Sequence, residues 1–312
     1  MEQSEILRIL QSYSLGELSS LDELSPGFVN RIFRLETNQG VFLFRIIMEQ
    51  ALRDLHDEIE LLNSLKSINF PTAYPISKID GEFISNASMG MVVIYDFIHG
   101  EHPVVAEPQA MEIGTAVGKL STSRPSSDFQ RRNSINMDAC VMLSSALVDA
   151  PHQLPDIFDY FIEQTQYLEN RIGLGLPEGL IHADIFPDNT IFQGEKLQAI
   201  IDFEEACWDE LLFDLAMTIN GFCFPMNELS YPILDSLILG YSQKRKLSPE
   251  EWLALPIYIQ WTAHGMLSWH LQRLSQVPNA RQERRVRELM NRVSTLRNHE
   301  KDLVEYLKLR SI

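Results

Sequence analysis

Three side chains in one short stretch have the types and spacing to move a phosphoryl group. Asp184, Asn189 and Asp202 lie within 181–216, reading IHADIFPDNTIFQGEKLQAIIDFEEACWDELLFDLA. Transfer of phosphoryl to an alcohol asks little covalent work of a protein and much positioning and charge stabilisation. A carboxylate must accept the hydroxyl's hydrogen bond and aim it at the γ-phosphate, and hard oxygen ligands must hold the metal that bridges the phosphates. Asp184 suits the first role because Ile181 ends a short strand and leaves the aspartate on the loop beyond it. Asn189 offers a neutral metal ligand, and Asp202, closing the apolar run LQAIIDF, an anionic one. Any one of the three alone would be an ordinary turn residue. Together, with His182 just before Asp184 and apolar strands at 180–181 and 190–192, they specify phosphoryl transfer.

The neighbouring polar residues divide between bracing and binding. His182 reads as a buried brace for loop backbone rather than a proton carrier. Asp188 is either an orienter of the loop or a solvent-facing turn residue. Asp214, at the head of the apolar segment FDLA, reads as an N-cap or a brace for the catalytic loop. Glu204, Glu205 and Asp209 follow the metal aspartate, where they would either hold a substrate ammonium or stand as exposed loop acids.

Elements upstream must position these groups. SEILRILQSY (4–13) has helical spacing behind Ser4, and 18–47 alternates apolar and polar residues about Asn38-Gln39-Gly40, a β-hairpin pattern opened by a turn from Ser25 through Gly27 to Asn30. Residues 51–67 place Leu52, Leu55, Ile59, Leu62 and Leu65 at helical steps, with Glu58 on or beside the stripe. A strand cation paired with a helix carboxylate is a nucleotide-side device, and here the candidates are Arg45 and Glu58. ISKIDGEFI predicts a second hairpin turning at Asp80-Gly81. The strand 91–95 then runs into Asp96, Gly100 and Pro103, where an interlobe hinge is expected whose backbone, about Tyr95 and Phe97, meets an adenine edge. Beyond Pro108 the chain turns helical: 109–123, 156–171 and most of the final third, with a polar loop at 124–136. The Arg- and Glu-rich run 281–310 has the spacing of a solvated helix face rather than an RNA-binding arm.

Composition bounds the partners. The 312 residues allow about two domains, and 45% apolar with 22% charged residues is ordinary for a folded soluble chain. A formal charge of −17 argues against a broad nucleic-acid surface. The three cysteines, Cys140, Cys207 and Cys223, form no CxxC pair and suit a reducing compartment. With no signal-like leader and no apolar run long enough for a membrane, a cytoplasmic protein is expected.

HADIFPDN followed by IDFEEACWDELLFDLA resembles the aminoglycoside/choline-kinase-like phosphotransferases, and within them the bacterial homoserine kinases. SYSLGELSSLDELSPGFVNRIFRLET is similar to that family's opening helix and first hairpin, including Asn30, and FQRRNS (129–134) resembles an insert that its members carry. The resemblance implies an α+β, protein-kinase-like two-lobed fold. An antiparallel-sheet nucleotide lobe would span 1–95, a hinge 96–100, and a mainly helical catalytic lobe 101–312. It implies ATP and Mg²⁺ as cofactors, Asp184 as base, Asn189 and Asp202 on the metal, and a small hydroxyl compound as acceptor, with a homodimer possible. The leading acceptor is homoserine or a related amino-alcohol, with Arg131 or Arg132 meeting its carboxylate and the acids after Asp202 its ammonium. The alternatives are a choline-, ethanolamine- or aminoglycoside-type kinase and, in another class, a nucleotide-sensing regulator. Two positions depart from the family: Arg45 stands where many members have lysine, giving a planar fork for a point charge, and Ser121 where a histidine is common.

Overall fold

A computed structural model describes residues 3–26, 30–48, 55–124, 129, 131–148, 154–173, 175–276 and 279–310. Its backbone contacts separate two compact units: one built on Met1–His102, Pro125–Phe129 and Thr190–Glu204, the other on Pro103–Arg124, Gln130–Asn189 and Glu205–Ile312.

The first unit is a five-stranded antiparallel sheet in the order β1-β2-β3-β5-β4, formed by β1 (Leu18–Pro26), β2 (Asn30–Thr37), β3 (Gly40–Ile47), β4 (Ser85–Ala87) and β5 (Gly90–Asp96). The β2–β3 hairpin closes on Thr37↔Gly40, as the Asn-Gln-Gly signal predicts. Alternation sends Phe33, Leu35, Phe44, Ile46, Val92 and Ile94 to one face, where they bury against Ile6, Ile9, Leu10 and Tyr13 of helix α1 (Gln3–Tyr13). Phe33 and Phe44 face each other across the hairpin, edge to face at 6.2 Å. Helix α2 (Leu55–Leu65) buries Leu55, Glu58, Ile59, Leu62 and Leu65. Residues 51–54 of the expected helix, including Leu52, and Gly27 of the expected turn lie outside the described residues.

The second predicted hairpin is corrected. Asp80-Gly81 does turn, with Lys78 N donating to Glu82 O, but no ladder follows it. The flanking amides go elsewhere, Ile76 N to Ile94 O and Ile79 N to Ser12 O, and the true hairpin is β4–β5, one turn later. The unit also holds the hairpin of β7 (Thr190–Gln193) and β8 (Lys196–Ile200), turning on Gly194 at φ 62°, with Phe192 and Glu101 exchanging backbone hydrogen bonds.

The second unit is mainly helical. It contains α3 (Glu107–Leu120), α4 (Met137–Val148), α5 (Pro155–Glu169), α6 (Leu211–Phe222), α7 (Tyr231–Ser242), α8 (Pro249–Gln276), α9 (Ala280–Asn298) and α10 (Glu300–Lys308). Two strands, β6 (Glu178–Ile181) and β9 (Cys207–Glu210), pair antiparallel, so that Ile181 faces Cys207 and α6 starts directly from β9. Helices α3 and α7 meet backbone to backbone: a Cβ at Gly240 would stand 2.1 Å from Met111 O, and one at Gly114 2.0 Å from Leu237 O. Among the described residues no helix is long and apolar enough to cross a membrane.

Candidate active site

In the second unit, the loop that carries Asp184, the candidate catalytic loop, is held from beneath by one buried carboxylate. Asp214 sits inside the first turn of α6 rather than at its cap, and accepts from His182 N at 3.1 Å and Ala183 N at 2.9 Å. Those two bonds fix Ala183 at φ 66°, a left-handed conformation that costs a non-glycine residue about 1–3 kcal/mol unless its surroundings impose it. Burial pushes the Asp214 carboxyl up to about 6, against the downward pull of the two amides. His182, wholly buried, accepts from Asp184 N through Nδ1 at 3.3 Å, which leaves its other ring nitrogen to carry the proton. The loop therefore leaves its strand in one enforced shape, with Asp184 at its end.

Asn189 closes the loop on Asp184. Its Nδ2 donates to both the backbone O and Oδ2 of Asp184, each at 2.8 Å. With the amide nitrogen turned to the aspartate, the amide oxygen points away from it, so the carboxylate is oriented and a neutral oxygen is presented by the same side chain. The acids farther on are tied to the segment 131–136. Ser134 Oγ donates to Glu205 Oε2 at 2.8 Å, Asn133 Nδ2 to Asp209 Oδ2 at 2.7 Å, and Trp208 N to Arg131 O at 2.9 Å. Burial raises the Asp209 carboxyl above its usual range, with Asn133 opposing it. Arg132 is exposed and Arg131 half-buried on this segment.

In the first unit, the expected strand–helix pair forms. Arg45 Nη1 of β3 lies 2.8 Å from Glu58 Oε1 of α2. The other arm of Arg45, Nη2, bonds Glu204, which also accepts from Asn30 Nδ2 at 2.6 Å. Glu204 is thus gathered with Arg45 and Asn30, apart from the acids at 205 and 209 with which the sequence groups it. Burial pulls the Arg45 pKa down, but Glu58, Tyr95 and Glu204 outweigh it and the guanidinium stays charged. Asp202 follows β8 at φ 67°, and the next residue, Phe203, is buried edge-on against Phe70 at 6.0 Å, which anchors the turn. Tyr95 has backbone neighbours on both sides, Leu43 of β3 and Pro75, and Asp96 N bonds Tyr74 O. At Tyr95 the strand lies inside the sheet, and the chain leaves it at Phe97, whose ring packs against His99 at 5.1 Å.

One arrangement beside the catalytic loop escapes sequence reading. A Cβ at Gly221 of α6 would stand 2.8 Å from Ile185 O and 3.0 Å from Phe186, so α6 packs directly on the loop. Just beyond, Arg292 of α9 lies buried over the Phe224 ring at 4.4 Å. Its position among many arginines of α9 gives no signal at the level of sequence.

A fold with this antiparallel sheet, this helical unit and this loop chemistry defines a small-molecule kinase of the protein-kinase-like fold. The chain belongs to the phosphotransferase enzyme family, whose model matches residues 20–238. It is 29% identical over 268 residues to the homoserine kinase of Sinorhizobium medicae, covering 84% of this chain and 81% of that one. Among solved structures it resembles an amicoumacin kinase in complex with AMP-PNP, Ca²⁺ and amicoumacin, with TM-score 0.70 at 13% identity over 94% of this chain and 93% of that one. A spectinomycin phosphotransferase in complex with ADP and spectinomycin gives TM-score 0.70 at 15% identity, over 95% and 99% of the two chains.

Proposed function

We propose that this kinase transfers the γ-phosphoryl group of ATP, as its Mg²⁺ complex, to the hydroxyl of homoserine or a closely related amino-alcohol. The observation that carries the reading is the clamp of Asn189 on Asp184: the amide donates to the carboxylate, holding it as an acceptor for a substrate hydroxyl, while the loop beneath is locked by Asp214. The donor set fits a hard divalent ion, since Asn189 and Asp202 offer only oxygen. When bound, Mg²⁺ supplies charge neutralisation on the phosphates. Asp184 accepts the acceptor's hydroxyl proton and orients its oxygen, and Arg45, held by Glu58 through Nη1, contacts phosphate through Nη2 in place of Glu204.

The substrate choice is supported by the homoserine kinase relative, which aligns along most of both chains. The test is a panel of acceptors with ATP and Mg²⁺: L-homoserine, 3-aminopropan-1-ol, ethanolamine, choline and an aminoglycoside. Homoserine is expected to have the highest kcat/KM. Phosphorylation of choline or an aminoglycoside in place of homoserine would overturn the acceptor, and nucleotide binding with no transfer to any alcohol would favour the regulatory reading.

A further inference from the structure

Arg292 is a buried cation without a buried anion. The chain carries 43 acidic against 26 basic side chains, so acids are not scarce, yet among the described residues none pairs with it. The nearest carboxylate named in its electrostatics, Glu288, bonds Arg285 instead, at 3.5 Å. Lysine and arginine are almost never fully buried unless paired, and Arg292 is only 6% exposed.

Neutral oxygens hold it in place. Nε donates to Asn227 Oδ1 at 2.8 Å and Nη1 to Asn220 O at 2.8 Å, and the guanidinium plane rests on Phe224. Asn227 is itself fixed, with Nδ2 on Glu288 O at 3.0 Å, in a turn where Met226 and Asn227 both take left-handed φ of 51° and 66°. The remaining arm, Nη2, makes no hydrogen bond among the described residues and is not sealed from solvent. A capping role at the last turn of α6 accounts for Nη1 on Asn220 O. It does not account for the open arm or for two left-handed residues spent on aiming a neutral oxygen at the guanidinium. The location supplies the rest: Asn220 immediately precedes Gly221, the residue packed on Ile185 and Phe186, the two residues that follow the base Asp184.

We propose that Arg292, oriented by Asn227 and Phe224, is the receptor for the carboxylate of an amino-acid acceptor. This rests on the phosphotransferase reading and replaces Arg131 and Arg132 in that role. The open Nη2 bonds one carboxylate oxygen, and the ligand brings the negative charge that the protein withholds. The carboxylate is then what separates homoserine from its decarboxylated counterpart, 3-aminopropan-1-ol.

The test compares the two alcohols in the full-length wild type, Arg292→Gln and Asn227→Asp, by kcat/KM and by calorimetric binding. Asn227→Asp places a carboxylate on the guanidinium and so supplies internally what the ligand would bring, and because it also gives up the Nδ2 bond to Glu288 O, the urea midpoint of each variant is measured beside its kinetics to exclude a folding artefact. The preference for homoserine over 3-aminopropan-1-ol is expected to fall by about ten- to hundredfold in both variants, the scale of one charge-assisted hydrogen bond. A preference unchanged in Asn227→Asp and Arg292→Gln, or a wild type that binds both alcohols equally, would overturn the assignment and leave Arg292 as a helix cap. Absence of turnover of either alcohol by the wild type would instead sink the phosphotransferase reading, and the binding ratio would still decide on Arg292.

Discussion

Arg45 Nη1 and Glu58 Oε1 meet at 2.8 Å with their side chains only 11% and 7% exposed, an ion pair joining the centre of the sheet to α2. Removing one partner of such a pair strands the other as a buried charge, at a cost of about 3–5 kcal/mol. Arg45→Ala should therefore lower the urea midpoint of unfolding and raise the nucleotide KM together. Arg45→Lys keeps the charge but loses the second arm, so it should raise the nucleotide KM while costing less stability; equal urea midpoints for the alanine variant and the wild type would contradict the pairing.

Asp214 carries two amides of the catalytic loop, and an amide side chain can accept only one of them without turning its own N–H₂ against the other. Asp214→Asn should cost about 1–3 kcal/mol of stability, the range for an unsatisfied buried donor. Its kinetic mark should be a lowered kcat with the nucleotide KM little changed, since the Arg45–Glu58 pair, proposed to meet the phosphates, belongs to the other unit. Steady-state kinetics at saturating acceptor separates the two.

His264 gives the stability a pH dependence of known sign. Thr165 Oγ1 donates to Phe161 O, so it accepts from His264 Nε2, and the unprotonated Nδ1 lies buried without a partner among the described residues. Burial depresses the imidazole pKa to about 3, below its unfolded value, so the unfolded chain binds the extra proton first and stability is lost as pH falls below about 6.5. Asp214 works in the opposite direction: its carboxyl is raised to about 6, so its contribution is present at low pH and is lost as pH rises from about 4 to 6. Comparing His264→Phe with the wild type isolates the first effect. The variant's stability relative to wild type should improve by roughly 2 kcal/mol between pH 7 and pH 5, measured by urea unfolding. A constant difference across that range would show that the imidazole titrates freely in the fold.

Much of this architecture is local and so legible in the chain. The β2–β3 hairpin follows from Asn38-Gln39-Gly40 between alternating strands, and the stripe of α2 from helical spacing that also placed Glu58 opposite Arg45. Sequence fails where partners are distant. Strand β9 shows no isolated strand pattern because Cys207–Glu210 is defined by pairing with β6, far upstream. Helix α4 has only Cys140, Ser144 and Leu147 buried, too sparse a stripe to announce itself. The turn at Asp80-Gly81 forms, closed by Lys78 N on Glu82 O, but the amides of Ile76 and Ile79 go to Ile94 and Ser12, so no strands follow it. In the candidate site, the contact of Asn189 with Asp184 is legible because the two lie five residues apart in one loop, whereas Glu204 on Arg45 and Arg292 on Asn227 depend on folds of the chain that spacing does not encode.

The central claim is that Asp184, held by Asn189, is the base of a phosphoryl transfer. The most direct measurement is single-turnover and steady-state transfer from ATP-Mg²⁺ to L-homoserine by wild type and Asp184→Ala, alongside nucleotide binding by both. The account predicts that kcat falls about 10²–10⁴-fold, the usual loss for a positioned base, while the nucleotide still binds. Turnover of Asp184→Ala within about twofold of wild type would contradict it, because a positioned base cannot be removed at so small a cost.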